Sequence, residues 1–353
     1  MSSLQAERSE CEKKEDFPFE ISDVVSSVNE KLLQDFHGER TGFIQVGHKK
    51  WFFPSTFRGH LPKLYNFEIR PTDVWIVTFP RSGTTLTQEM VWLLMNNLDF
   101  DKASSASLAE RFPFIEGNCI FHPELHAELL KENKDSEEKT KVVEKLIESV
   151  CDKVHEMKGR RFIKTHLPLS LLPKNLLTAG CKVIYVARNP KDVVISYYLH
   201  NRLFRTRNFT KDFPKYWQYF KTNYVSWSPY WEHVIEAWEK RNEENLLFLF
   251  YENMIKKMKK TISEVQHFLG TAYSDDQISS LENHLNIDNF RKNKSVNHDD
   301  WKILGIFNKN EQDFIRAGEN GEAKRWFDED MEREAKEWIQ EHLKNSDLKF
   351  PSI

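Results

Sequence analysis

Apolar positions along this chain keep two rhythms, and their alternation predicts its architecture. Val74 to Phe79, Lys182 to Ala187 (KVIYVA) and Leu246 to Phe250 (LLFLF) are short β-rich runs, and Arg161 to Leu169 (RFIKTHLPL) predicts a further strand ending at Pro168. Between them the spacing turns helical. Leu86, Met90, Leu93 and Leu94 recur every three to four residues, as do Val142, Val143, Leu146, Ile147, Val150 and Val154 within 139–157, and Trp231, Val234, Ile235 and Trp238 within 229–241. Further helices are expected before Gly270, over 274–290 and over Glu329 to Leu343. This repeated order of strand and helix predicts an α/β fold of one domain, a central parallel sheet flanked by helices. Ligands of such sheets bind beyond the carboxyl ends of the strands.

Outside the rhythm, residues 1–16 are polar and aperiodic, so a mobile N-terminal tail is expected ahead of a domain spanning 17–353. The aromatic pieces of 17–66, such as GFIQVGHKKWFFP, predict a hairpin or irregular cover packed on the main sheet, and 292–321 reads as irregular. At 353 residues the chain can bury a sizeable core, and a net charge of -3 leaves no global field for nucleic acid, so any basic site must be local. Cys11, Cys119, Cys151 and Cys181 lack C-x-x-C or metal spacing, which favours a reducing compartment. No apolar run approaches the roughly 18 residues of a membrane span, so a soluble, cytoplasmic protein with no membrane partner is expected.

The strand ends carry the chemistry. Pro80 to Thr85 (PRSGTT) places a glycine, three hydroxyls and a cation between a strand and a helix, where backbone N–H groups and the positive end of the helix dipole converge on an anion. It is not the triphosphate loop G-x-x-x-x-G-K-[ST], having one glycine and no lysine before the hydroxyls. Lys164 and His166 share one side of their strand while Thr165 faces away. Asn189 can cap a helix that begins at Pro190, which sets Arg188 at its N-terminus and Ser196 two turns along the same face. Tyr251 closes the fourth strand. No strand end offers the carboxylates that a Mg²⁺-dependent kinase needs, so no metal is expected. Cations, hydroxyls and one histidine suit the transfer of an already anionic group by positioning and charge stabilisation.

PRSGTT, KTHLP, ARNPKDVVISYY, FLFYENM and a late IRAGENG, in this order, resemble the cytosolic sulfotransferases, and ERTGFIQVG, WFFP and RFPFIE look like their insect branch. The resemblance covers Phe17 to the C-terminus. It implies a P-loop nucleotide-kinase-like sulfotransferase fold and transfer of a sulfuryl group from 3'-phosphoadenosine 5'-phosphosulfate (PAPS) to a hydroxyl of a small hydrophobic acceptor: a phenol, steroid or isoprenoid alcohol. By the same resemblance Arg81, Ser82, Gly83, Thr84 and Thr85 hold the phosphosulfate, Lys164 meets the moving group, and His166 is the general base. Arg188 and Ser196 bind the 3'-phosphate, Tyr251 meets adenine, and Arg316, Ala317 and Gly318 close over the phosphate.

Several positions depart from the family pattern. Arg81 stands where the loop has lysine, which keeps the charge but donates a proton poorly. Leu86 replaces a tryptophan that stacks on adenine, a contact worth roughly 1 to 3 kcal/mol in other base-aromatic pairs. Ala317 and Ala323 replace a cation and an aromatic of the late loop. The dimer segment K-x-x-x-T-V-x-x-x-E has Asp328 and Glu329 in place of Thr and Val and ends at Arg333, so a homodimer stays open. Two other readings stay open: a weakly active or non-catalytic relative that binds nucleotide or a hydrophobic ligand, and an enzyme that sulfonates a retinol-like alcohol and lets the sulfate leave, a net dehydration.

Overall fold

The computed structural model describes residues 16–309, 311–315 and 323–351. The tail expected at 1–16 therefore lies outside the described residues except for Asp16, and Arg316, Ala317 and Gly318 lie outside them too. Among the described residues no helix is long and apolar enough to cross a membrane.

Among the described residues seven strands form two sheets. β1 (Ile21–Asp23), β2 (Phe43–Val46) and β3 (Trp51–Pro54) make an antiparallel sheet, in which the predicted aromatic hairpin is β2 and β3 and Phe43 stacks on Phe52 at 4.9 Å. The main sheet is parallel, with β4 (Val74–Thr78), β5 (Phe162–Thr165), β6 (Lys182–Ala187) and β7 (Leu246–Phe250) in the order β5-β4-β6-β7. Side chains alternate across a strand, and here the alternation sorts them into two cores. Trp75, Val77, Val183 and Tyr185 join one cluster with the antiparallel sheet and the helices Pro190–Leu203 and Tyr230–Glu239. Val74, Ile76, Ile184 and Val186 join the other, under the helices Thr84–Met95 and Met258–Leu269. Both faces are thus covered, which is why these strands read as continuous apolar runs.

From β4 the chain steps to β5 on one side and then to β6 and β7 on the other. Strand order reverses beside β4, and the loops after β4 and β6 diverge to leave a crevice at the carboxyl ends. At the opposite end of β4 and β5 a buried ion pair sets their relative position. Arg161 Nε and Nη2 donate to the two carboxylate oxygens of Asp73 at 2.8 and 2.5 Å, with both side chains fully buried.

Three predicted elements need correction, the first being the helix over 274–290, which breaks at Asn286 into Asp275–Leu285 and Ile287–Phe290. The strand written as 161–169 ends at Thr165, so Lys164 lies in it and His166 just beyond. The long helix over 139–157 is three pieces, Glu137–Glu144, a 3-10 turn Lys145–Ile147, and Val150–Glu156. Glu148 is extended there, and Ser149 starts a new helix by accepting the Asp152 N–H, so the periodic Val142 and Ile147 are left exposed.

Candidate active site

The loop after β4 folds tightly because two of its residues take left-handed backbone, Arg81 at φ 69° and Gly83 at φ 99°. Glycine suits its position on a second count, since a Cβ there would come within 2.5 Å of the Tyr251 ring. The helix Thr84–Met95 follows at once. No side chain caps its N-terminus among the described residues and no acidic residue lies in its first turn, which leaves its N–H groups directed at the crevice. Gly83→Ala should displace Tyr251 and loosen the loop. We expect the dissociation constant for 3'-phosphoadenosine 5'-phosphate (PAP), measured by calorimetry, to rise by about ten- to a hundredfold, equivalent to roughly 1.4 to 2.7 kcal/mol.

The cations assemble across the divide between β4 and β6. Arg188 Nη1 donates to the Arg81 carbonyl at 3.1 Å, and its guanidinium lies 4.5 Å from the Tyr251 ring centroid. Arg81 Nε donates to Ser196 Oγ at 3.1 Å, one Nη to the Phe314 carbonyl at 3.2 Å. Asn189 caps the Pro190–Leu203 helix by accepting the Lys191 N–H, as its sequence predicts. Among the described residues Arg188 Nε and Ser82 Oγ are buried without a hydrogen-bond partner, although Ser82 does not line the cavity.

His166 sits where β5 ends. Its Nδ1 lies 2.8 Å from the Thr78 carbonyl and 3.1 Å from Thr78 Oγ1. A carbonyl only accepts, so Nδ1 carries the proton and Nε2 keeps a lone pair. Phe114 and Trp227 flank the imidazole, at 5.1 and 5.6 Å between ring centroids. Burial and the neighbouring Lys164 charge hold His166 well below the usual histidine range, so the ring stays neutral near pH 7. Lys164 Nζ rests 4.4 Å from the Phe114 ring, and burial pulls its amine down to about 8, against the attraction of Glu116.

One cavity of about 760 Å³ connects these groups. Arg81, Gly83, Thr84, Thr85, Leu86, Arg188, Ser196 and Tyr251 line it together with Lys164 and His166. Its remaining wall mixes aromatic side chains, among them Phe112, Phe114, Phe121, Trp227, Trp301 and Phe314, with aliphatic and polar ones such as Ile120, Leu146, Gln88 and Asn118. Four polar neighbours escaped the sequence reading: Thr78, His200, His298 and Glu116. Burial keeps His200 and His298 neutral, His298 down to about 3. Glu116 alone left a signal, since it ends the motif RFPFIE.

The sulfotransferase domain family model matches residues 71–347. This chain belongs to the sulfotransferase family. Luciferin sulfotransferase of Photinus pyralis is 30% identical over 333 residues, covering 93% of this chain and 86% of that protein. Sulfotransferase 4A1 of Homo sapiens is 33% identical over 250 residues, 71% of this chain and 74% of the other. Among solved structures, retinol dehydratase in complex with retinol and PAP is 36% identical, covers 95% of this chain and 99% of its own, and superposes with a TM-score of 0.88. The same enzyme with androsterone and PAP gives 35% and 0.89.

As a PAPS-dependent sulfotransferase the chain needs a site for a polyanionic nucleotide, and the crevice has the chemistry for one. Among the described residues an uncapped helix N-terminus, two guanidinium groups and the unpartnered Arg188 Nε converge there. Leu86 is buried at the same wall with an aliphatic side chain, which has no stacking face. Among the described residues no group of three or more His, Cys, Asp or Glu is placed to hold a metal.

Proposed function

We propose that this sulfotransferase acts on the hydroxyl of a small, mostly apolar alcohol or phenol, with His166 as general base. The observation that carries this reading is the His166 tautomer: the bond from Nδ1 to the Thr78 carbonyl leaves Nε2 unprotonated at a partly aromatic cavity, next to Lys164. PAPS supplies the sulfuryl group when bound, and PAP remains. His166 Nε2 takes the acceptor's proton as its oxygen closes on sulfur in line. Lys164 and Arg81 stabilise negative charge on the moving group and the departing phosphate. Arg188 and Ser196 bind the 3'-phosphate and Thr84 and Thr85 the 5'-phosphate, while Tyr251 supports the loop beneath the adenine.

The aromatic part of the wall supports an apolar acceptor, since an uncharged ring or chain loses little on leaving water and gains contact area there. A second reading, sulfonation followed by elimination from an isoprenoid alcohol, gains support from the likeness to retinol dehydratase over nearly the whole chain. Incubation with PAPS and a panel of phenols, steroids and isoprenoid alcohols, followed by product mass, separates the readings. A sulfate ester supports simple transfer, and a product lighter by water supports elimination. PAP binding without turnover of any acceptor contradicts both.

The two perturbed groups also set a pH profile. Transfer needs His166 neutral and Lys164 cationic. Because His166 lies well below 6.5 and Lys164 near 8 in the free enzyme, kcat/KM should show no limb at 6.5 and should fall as pH rises through about 8. Stopped assays across pH 6 to 9.5, with flags of roughly half-unit spacing, check this.

A further inference from the structure

The main chain of His166 is held by side chains, because the strand it follows has run out. Pairing of β4 with β5 stops at Val77 and Thr165, so the His166 N–H has no ladder partner. Glu116 Oε1 accepts that N–H at 2.6 Å, and the His166 carbonyl accepts from His233 Nε2 at 3.0 Å. Glu116 reaches this point because its own segment runs along β5: Lys164 N donates to the Pro113 carbonyl at 2.8 Å and Ile115 N to the Lys164 carbonyl at 3.0 Å.

Glu116 is an expensive residue to place here. It is 0% exposed, and among the described residues its Oε2 meets no hydrogen-bond donor within bonding geometry and no cation forms a salt bridge with it. A buried carboxylate held by neutral hydrogen-bond donors without an ion pair is a poor device for stability. Burial pushes its carboxyl up to about 7, against the His166 N–H, the Thr165 hydroxyl and the charge of Lys164. The titratable groups facing it are Lys164, His166 on the chain it holds, and the Cys119 thiol, which burial and Glu116 push well up. Lys164 in turn faces Arg81, whose charge opposes its own.

We infer that Glu116 is a positioning residue for sulfuryl transfer: its carboxylate fixes the main chain that carries His166 and, as the counter-charge behind Lys164, keeps that amine cationic. The inference rests on His166 acting as the base. It gives the motif RFPFIE a task that neither the phosphate loop nor the acceptor cavity explains.

Two substitutions separate the carboxylate's bond from its charge. Glu116→Gln keeps an oxygen for the His166 N–H and removes the charge, so the alkaline limb of kcat/KM should move down by on the order of one pH unit, a loss at pH 8 of roughly fivefold. Glu116→Ala removes the bond as well and should lower kcat further at every pH, by on the order of tenfold, because a base displaced by a fraction of an ångström loses alignment. For both, the PAP dissociation constant should stay within about twofold of the parent, since the phosphate loop is untouched. A parental alkaline limb in Glu116→Gln would overturn the inference. So would kcat falling only in step with the folded fraction or with PAP affinity, the signature of a merely structural role. If His166→Ala keeps full activity, the reading beneath the inference falls; if it is inactive while both Glu116 variants behave as the parent, the inference alone falls.

Discussion

Replacing His166 with alanine should lower kcat for sulfuryl transfer by about 10² to 10⁴, the usual contribution of a positioned general base, while PAP binds as to the parent. The expectation follows from geometry. The imidazole is fixed through Nδ1 to the Thr78 carbonyl and walled by Phe114 and Trp227, so Nε2 has one direction to face and no competing proton near neutrality. Among the described residues none of the groups proposed for the phosphate side, Arg188 and Ser196 among them, bonds to the ring, and so nucleotide affinity should not follow the loss. Quenched-flow turnover and calorimetry on the same preparation read the two quantities. A His166→Ala enzyme with parental kcat would remove the base from the account, and one that lost PAP binding in proportion would make His166 a structural residue.

The second large effect is on stability. Asp73→Ala should cost about 3 to 5 kcal/mol, because it leaves the Arg161 guanidinium buried and without its counter-charge. Arg161 is fully buried, and its other contacts are one bond to the Glu68 carbonyl at 2.7 Å and the face of Phe67 at 4.8 Å, neither of which neutralises it. Asp73 also accepts the Arg70 N–H at 2.9 Å. Asp73→Leu combined with Arg161→Met should recover most of the loss, since the uncompensated charge and not the missing bond dominates the cost. Urea denaturation of the single and double variants reads both values. The pair also matters for chemistry, because it sits at the start of β4 and β5, whose far ends carry the phosphate loop and His166.

What could be read from the sequence was local. β6 and β7 begin and end where their apolar runs do, and the helix Glu329–Leu343 matches its periodicity. Asn189 and Pro190 act as written because a cap needs only its own neighbours. The expected strand through Pro168 was too long because proline marks where pairing must have stopped, not where it stopped. The helix over 139–157 failed for a related reason: six apolar residues kept a helical period, but the Ser149 cap restarted the chain in the middle. Long-range partners were invisible. Thr78 lies 88 residues from His166 and Glu116 lies 50 away, and each meets it only because parallel strands and the segment along β5 bring their ends together. Arg81 was expected among the residues that hold the phosphosulfate; its side chain here also reaches Ser196 and Phe314, a link no local pattern encodes.

The most direct test of the account is turnover of the donor itself. Purified protein is mixed with sulfur-labelled PAPS, with and without an apolar primary alcohol, and label in the organic product is followed together with PAP. The account predicts PAP release that depends on the alcohol and on His166, with label passing through or remaining in the product. Tight PAP binding with no alcohol-dependent release across the acceptor panel would contradict it.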